Sequence, residues 1–156
     1  MADVLDPVRR GFIEARRTAV LATLSPAGWP RLVPICFVLM DAPGVPARPV
    51  LYSPLDEKPK RVHDVRRLAR IRDIAVRPDV TLLFERWSED WSQLAWLRIR
   101  GEAGLVEPGD ESHAHQRAVQ ALRAKYPPYA DHEIDDMPLI RFAIGDVVYW
   151  SAAGDR

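Results

Sequence analysis

The chain has 156 residues, 47% of them hydrophobic, and its 22 Lys and Arg balance its 22 Asp and Glu. A neutral chain projects no long-range field toward DNA, RNA or an acidic membrane, so no nucleic acid and no membrane is expected as a partner. A single cysteine, Cys36, excludes an internal disulfide framework and a Cys-rich metal site. With no leader-like start and no apolar run of roughly eighteen residues, the sequence reads as one cytoplasmic domain over residues 1–156.

Asp6-Pro7 opens the first predicted element, with Asp6 as N-cap, Pro7 at the first helical position, and Leu5, Val8, Phe12 and Ala15 along one helical face. Thr18 to Leu24 is β-branched and apolar, Ser25 to Gly28 is a turn, and Arg31 to Met40 is a second apolar run, which together predict a β-hairpin. Asp41 to Pro49 carries three prolines and a glycine and is a loop, after which Val50 to Ser53 supplies a short strand.

Lys58, Lys60, Arg61, Arg66, Arg67, Arg70 and Arg72 then fall in one short stretch, over an apolar stripe of Val62, Val65, Leu68 and Ala69 at helical spacing that ends before Pro78. Val80 to Phe84 is a strand. From Leu97 to Leu105 apolar and polar residues alternate, which is the period of a strand with one buried face. Asp110 to Tyr126 places Val119, Leu122 and Tyr126 on one helical face and stops at Pro127-Pro128, and Leu139 to Trp150 holds two apolar runs flanking Gly145-Asp146. Helices interleaved with many short strands predict an α+β fold whose strands form a largely antiparallel barrel.

The basic stretch follows directly on a strand, at a predicted helix start. There backbone N–H groups, the Ser53 hydroxyl and cationic side chains can converge on a phosphate. A solvated helix face explains many basic runs. Pro59 favours the phosphate, because it fixes Lys58 and Lys60 in the first turn, where cations oppose the helix dipole and call for a compensating anion.

The runs AVLATLSPAGWPRLVPICFV, LYSPLDEKPKR, RPDVTLLFERWSEDW and LRIRGEAGLVE resemble, in order and spacing, the pyridoxamine 5′-phosphate oxidase-like split β-barrel proteins. More narrowly they resemble the branch that uses the deazaflavin coenzyme F420 instead of FMN. The resemblance covers about Ala19 to Glu107, with an echo in the strand ending at Trp150. It implies a homodimer with two cofactor sites at the subunit interface, the phosphate held by Lys58, Lys60 and Arg61. It places the ring against Arg31, Val33, Pro34, Ile35, Tyr52 and Ser53, and puts Trp87, Asp90 and Trp91 in a loop that in relatives approaches the site from the other subunit. The segment from Lys58 to Pro78 includes an insertion relative to the shortest relatives.

Residue type leaves the cofactor open. FMN ends in one phosphate, whereas F420 continues into a glutamate tail, for which the arginines from Arg66 to Arg72 would supply charge; the same arginines suit a surface helix. Such chemistry needs no protein nucleophile, because the cofactor carries the hydride. Tyr52, His63 and Tyr126 are each as well explained structurally, so no proton donor is assigned.

Other candidates read as structural. His113 and His115, two apart on a helix, point to different faces and make a poor metal pair. Asp131, Glu133, Asp135 and Asp136 with His132 read as a solvated loop, Cys36 as a buried thiol within a strand, and the five tryptophans mostly as core or subunit interface, with Trp87 and Trp91 placed to line a pocket. The expectation is an F420-dependent oxidoreductase passing hydride to a small conjugated organic substrate. Its rivals are an FMN-dependent oxidase or reductase of the same fold, a non-catalytic cofactor-binding protein, and a nucleic-acid module built on the basic stretch.

Overall fold

The computed structural model describes residues 5–42, 48–55 and 68–154. Among them seven strands form one antiparallel sheet in the order β2-β1-β5-β6-β7-β4-β3. These are β1 (Ala19–Leu24), β2 (Pro30–Ile35), β3 (Val38–Asp41), β4 (Pro49–Pro54), β5 (Asp79–Arg86), β6 (Ala95–Val106) and β7 (Leu139–Ser151), with helices α1 (Pro7–Glu14), α2 (Ala69–Val76) and α3 (Ala114–Lys125) around them. The two edge strands, β2 and β3, are separated by only Cys36 and Phe37. That step spans at most about 11 Å of extended chain, so the edges must meet and the sheet curls into a barrel. The α+β split barrel expected from the sequence is the observed fold.

The start of α1 follows its sequence signals: the Asp6 side chain accepts from Arg9 N–H at 2.8 Å and Pro7 occupies the first turn. The β1–β2 turn closes through Gly28 at φ +86°, and the Ser25 hydroxyl accepts from Trp29 N–H at 3.1 Å. Alternation along β6 buries Ala95, Leu97, Ile99 and Ala103 in the barrel, where Phe37, Phe84, Leu21, Leu51 and Ile13 join them. Each large apolar side chain among them contributes about 1.5–3 kcal/mol through burial. On β4 the same period serves two cores: Leu51 faces the barrel interior, while Val50 and Tyr52 pack with Ala118, Val119 and Leu122 of α3.

Three elements depart from the sequence reading. Arg31 to Met40 is not one strand; it splits into β2 and β3 because the barrel closes between them. The two runs around Gly145-Asp146 form the single strand β7, and the interruption is a β-bulge: Arg100 pairs with Asp146 and Gly101 with Ile144, leaving Gly145 over. A Cβ on Gly101 would lie 1.9 Å from the Ala143 carbonyl oxygen, so the close strand approach excludes any side chain there. The helix predicted in the basic stretch is seen only as α2, whose buried face is Ile71, Asp73 and Ile74; Val62 and Val65 lie outside the described residues.

The Cys36-Phe37 step takes backbone groups out of the sheet, and the end of α3 supplies their partners. The Tyr126 hydroxyl accepts from Phe37 N–H at 3.1 Å and donates to the Arg17 carbonyl at 2.8 Å, while Lys125 Nζ donates to the Phe37 carbonyl at 3.1 Å. The Lys125 ammonium also sits 3.7 Å from the centroid of the Phe37 ring. Burial, reinforced by the nearby Arg17 charge, lowers the Lys125 pKa to about 8, and burial pushes Tyr126 up to about 12. No described helix is long and apolar enough to cross a membrane.

Candidate functional site

A cleft of about 610 Å³ opens at the end of the barrel where β1 and β2 turn and β5 begins, lined among others by Thr23, Leu24, Pro30, Asp79, Gly101 and Glu102. Its volume falls within the range of small-molecule sites. Beside it Thr23 of β1 and Arg31 of β2 converge on Asp73 of α2: the Thr23 hydroxyl and Arg31 Nε both donate to Asp73 Oδ2, each at 2.8 Å. Asp73 is 1% exposed, whereas the Arg31 side chain is 44% exposed. Burial alone would raise the Asp73 pKa, but the hydrogen bonds from Arg31 and Thr23 and the Arg31 charge outweigh it and hold the carboxyl below its ordinary value. The tie holds the guanidinium through Nε in a side chain that is still 44% exposed, so its remaining donors are not spent on Asp73 and can serve an anion.

The remaining predicted residues divide by burial. On β2, Pro34 is exposed, Val33 half-buried and Ile35 buried in the barrel core. Tyr52 and Ser53 are 3% and 1% exposed, Tyr52 packing under α3, so neither side chain is open to solvent. Trp91 is 69% exposed, in a 3₁₀ turn capped by Asp90, whose carboxylate accepts from Ser92 N–H at 3.1 Å. It stands beyond the Arg86 end of β5, whereas the cleft lies at the Asp79 end, so a single chain keeps Trp91 and Arg31 apart. Lys58, Lys60 and Arg61 lie outside the described residues.

The sequence reading missed Thr23 and Asp73, which are 50 residues apart and meet only in the fold. The available signal was an acidic residue on the apolar face of α2, between Ile71 and Ile74. Of the placements expected for the tryptophans, the core is corrected: Trp29, Trp87, Trp91 and Trp150 are exposed and Trp96 is half-buried, so none fills the core of the single chain, and they sit at turns and strand ends, where a subunit interface could cover them. A second expectation is corrected as well. Cys36 is half-buried in the step between β2 and β3 rather than within a strand. In the acidic loop Asp135 is not simply solvated, because Arg123 reaches it at 2.5 Å and also donates to the carbonyls of Tyr129 and His132. His113 is the N-cap of α3 at φ 56°, and His115 is buried with Nε2 2.6 Å from the Met137 carbonyl.

Residues 5–151 match the pyridoxamine 5′-phosphate oxidase family. The chain belongs to this family. Among solved structures it is similar to a conserved hypothetical protein of Mycobacterium tuberculosis, at 18% identity and TM-score 0.68 over 97% of this chain and 89% of that one. It is also similar to the heme storage protein HutZ of Vibrio cholerae, at 16% identity and TM-score 0.64 over 94% of each chain. A third is a FAD-binding protein of Mesorhizobium loti, at 18% identity and TM-score 0.61 over 93% of this chain and 92% of that one. At these identities the shared property is the split barrel. No curated protein matches the chain.

Proposed function

We propose that this member of the pyridoxamine 5′-phosphate oxidase family is an oxidoreductase that binds the deazaflavin F420 in the cleft beside Arg31 and passes hydride to a small conjugated substrate. The observation that carries the reading is the junction of a ligand-sized cleft with an arginine fixed by a buried carboxylate, in a chain of this family. The cleft holds Asp79 and Glu102, and its Arg100 is engaged by Asp146 at 3.1 Å, so it suits an uncharged ring better than a phosphate. The phosphate is assigned to Lys58, Lys60 and Arg61, with Arg31 at the lip. Val33 and Pro34 would border the ring along β2; Ile35, Tyr52 and Ser53, being buried, would shape the strands behind it. When bound, the deazaflavin supplies the hydride.

Exposed apolar residues support a homodimer. Leu32, 66% exposed, and Pro34 stand on the outer side of β2 in register with Ala22 and Val20 of β1, and Val20 is in register with Leu83 of β5, itself 36% exposed. A second chain on this face would cover them and bring its own Trp91 loop toward the first chain's cleft.

FMN is the second reading, favoured by the family and by the similarity to the FAD-binding protein of Mesorhizobium loti. Titrating the apo-protein with F420 and, separately, FMN under cofactor and tryptophan fluorescence tests both. Saturable F420 binding that weakens about tenfold in a Lys58→Ala/Lys60→Ala variant is expected. Preference for FMN moves the protein to the flavin-using side of the family, and binding of neither removes the cofactor reading.

A further inference from the structure

At the other end of the barrel, where α1 finishes against β5 and β7, three arginines surround two aromatic rings. Phe12 packs on Tyr149 with centroids 5.4 Å apart and planes tilted by 60°. The guanidinium carbons of Arg16 and Arg86 lie 4.7 and 5.7 Å from the Phe12 centroid, and that of Arg9 lies 5.7 Å from the Tyr149 centroid. Arg9 has a counterion of its own in Asp6. Arg16 and Arg86 have no carboxylate partner among the described residues.

Their hydrogen bonds are also incomplete. Arg86 uses Nε on the Gln93 carbonyl at 2.6 Å, which steers the rest of its guanidinium. Arg16 Nε is buried and has no acceptor among the described residues. A buried cationic N–H without an acceptor, beside a second like charge, is a costly arrangement that a bridging anion would relieve. Burial first, and the Arg86 charge second, lower the Arg16 pKa, with Tyr149 acting in the opposite direction. Two positive charges unmatched among the described residues favour a dianion, and planar guanidinium forks match the oxygens of a phosphate.

We propose that Arg16 and Arg86 form a binding site for a phosphate dianion beside the Phe12 ring. Within one chain the site is separate from the cleft, since the eight residues of β5 from Asp79 to Arg86 set the two about 24 Å apart along the strand. Its residues are also distinct from Lys58, Lys60 and Arg61, so a Lys58→Ala/Lys60→Ala variant separates phosphate bound here from phosphate bound at the proposed cofactor site.

Inorganic phosphate is the probe, compared with chloride at matched ionic strength on the purified full-length chain. Phosphate is expected to raise the melting temperature of the wild type. Arg16→Gln and Arg86→Gln are each expected to weaken phosphate binding by about tenfold or more in calorimetric titration, while Lys58→Ala/Lys60→Ala leaves this site's binding intact. In the unaltered chain, phosphate should protect Arg16 and Arg86 from phenylglyoxal, read by peptide mass mapping, and this measurement tests the site even if a variant fails to fold. Absence of any phosphate effect beyond ionic strength, undiminished binding in Arg16→Gln, or protection that falls elsewhere would overturn the proposal.

Discussion

Two polar networks close the two sides of this barrel, and they differ in how completely they use their donors. At the β2–β3 seam, Tyr126 and Lys125 direct their polar groups onto backbone atoms of Arg17 and Phe37. Beside the cleft, Asp73 is satisfied by Thr23 and Arg31, yet Arg31 engages it through Nε with nearly half of its side chain still exposed. A network that ends on its own backbone holds the fold; one that ends on a half-exposed guanidinium can also take an anion. The seam network should therefore report on stability alone, and the cleft network on stability and binding together.

The comparison meets its sharpest exception at the bulge. Gly101 borders the open cleft, but its constraint is the backbone of β7, so Gly101→Ala is expected to cost about 3 kcal/mol or more in urea unfolding. A change below about 1 kcal/mol, on the order of an ordinary surface substitution, would show that β6 and β7 can separate at little cost. Tyr126→Phe removes the hydroxyl that serves both sides of the seam and should cost about 2 kcal/mol while leaving cofactor affinity unchanged. A loss of affinity in that variant would erase the distinction between the networks.

Arg31→Gln leaves the buried Asp73 carboxylate with Thr23 and without its charged partner and should cost about 2 kcal/mol, moderated by the half-exposed position of Arg31, and should weaken F420 binding about tenfold. Equal affinity in wild type and variant would make Arg31 a purely structural tie. The smallest effects are in the pH dependence. Asp73 is held below its ordinary value of 3.8, so its contribution is present above that value and is lost as pH falls through its folded pKa. Lys125 is lowered to about 8 from 10.5, so between those values the unfolded chain binds more protons and stability rises with pH. Tyr126 acts oppositely above its ordinary value of 10.0, where the unfolded chain loses its proton first and stability falls. Unfolding midpoints between those two Lys125 values should climb in the wild type and stay flatter in Lys125→Met.

By itself the sequence determined what depends on neighbours along the chain. Asp6-Pro7 capped α1, Ser25 to Gly28 turned β1 into β2, the alternation from Leu97 to Leu105 marked β6, and the ordered runs from Ala19 to Glu107 carried the family. Each of these signals is local, a cap, a turn or a period, and acts within a few residues. Only the tertiary structure decided that one apolar run breaks at Cys36-Phe37, that Gly145 is a bulge rather than a turn, that the tryptophans lie outside the core, and that Thr23, Arg31 and Asp73 share a carboxylate. Those outcomes follow from closing a sheet on itself. Closure forces its edges to meet, makes its longest strands bend, and joins side chains as far as 50 residues apart through contacts that no local pattern encodes.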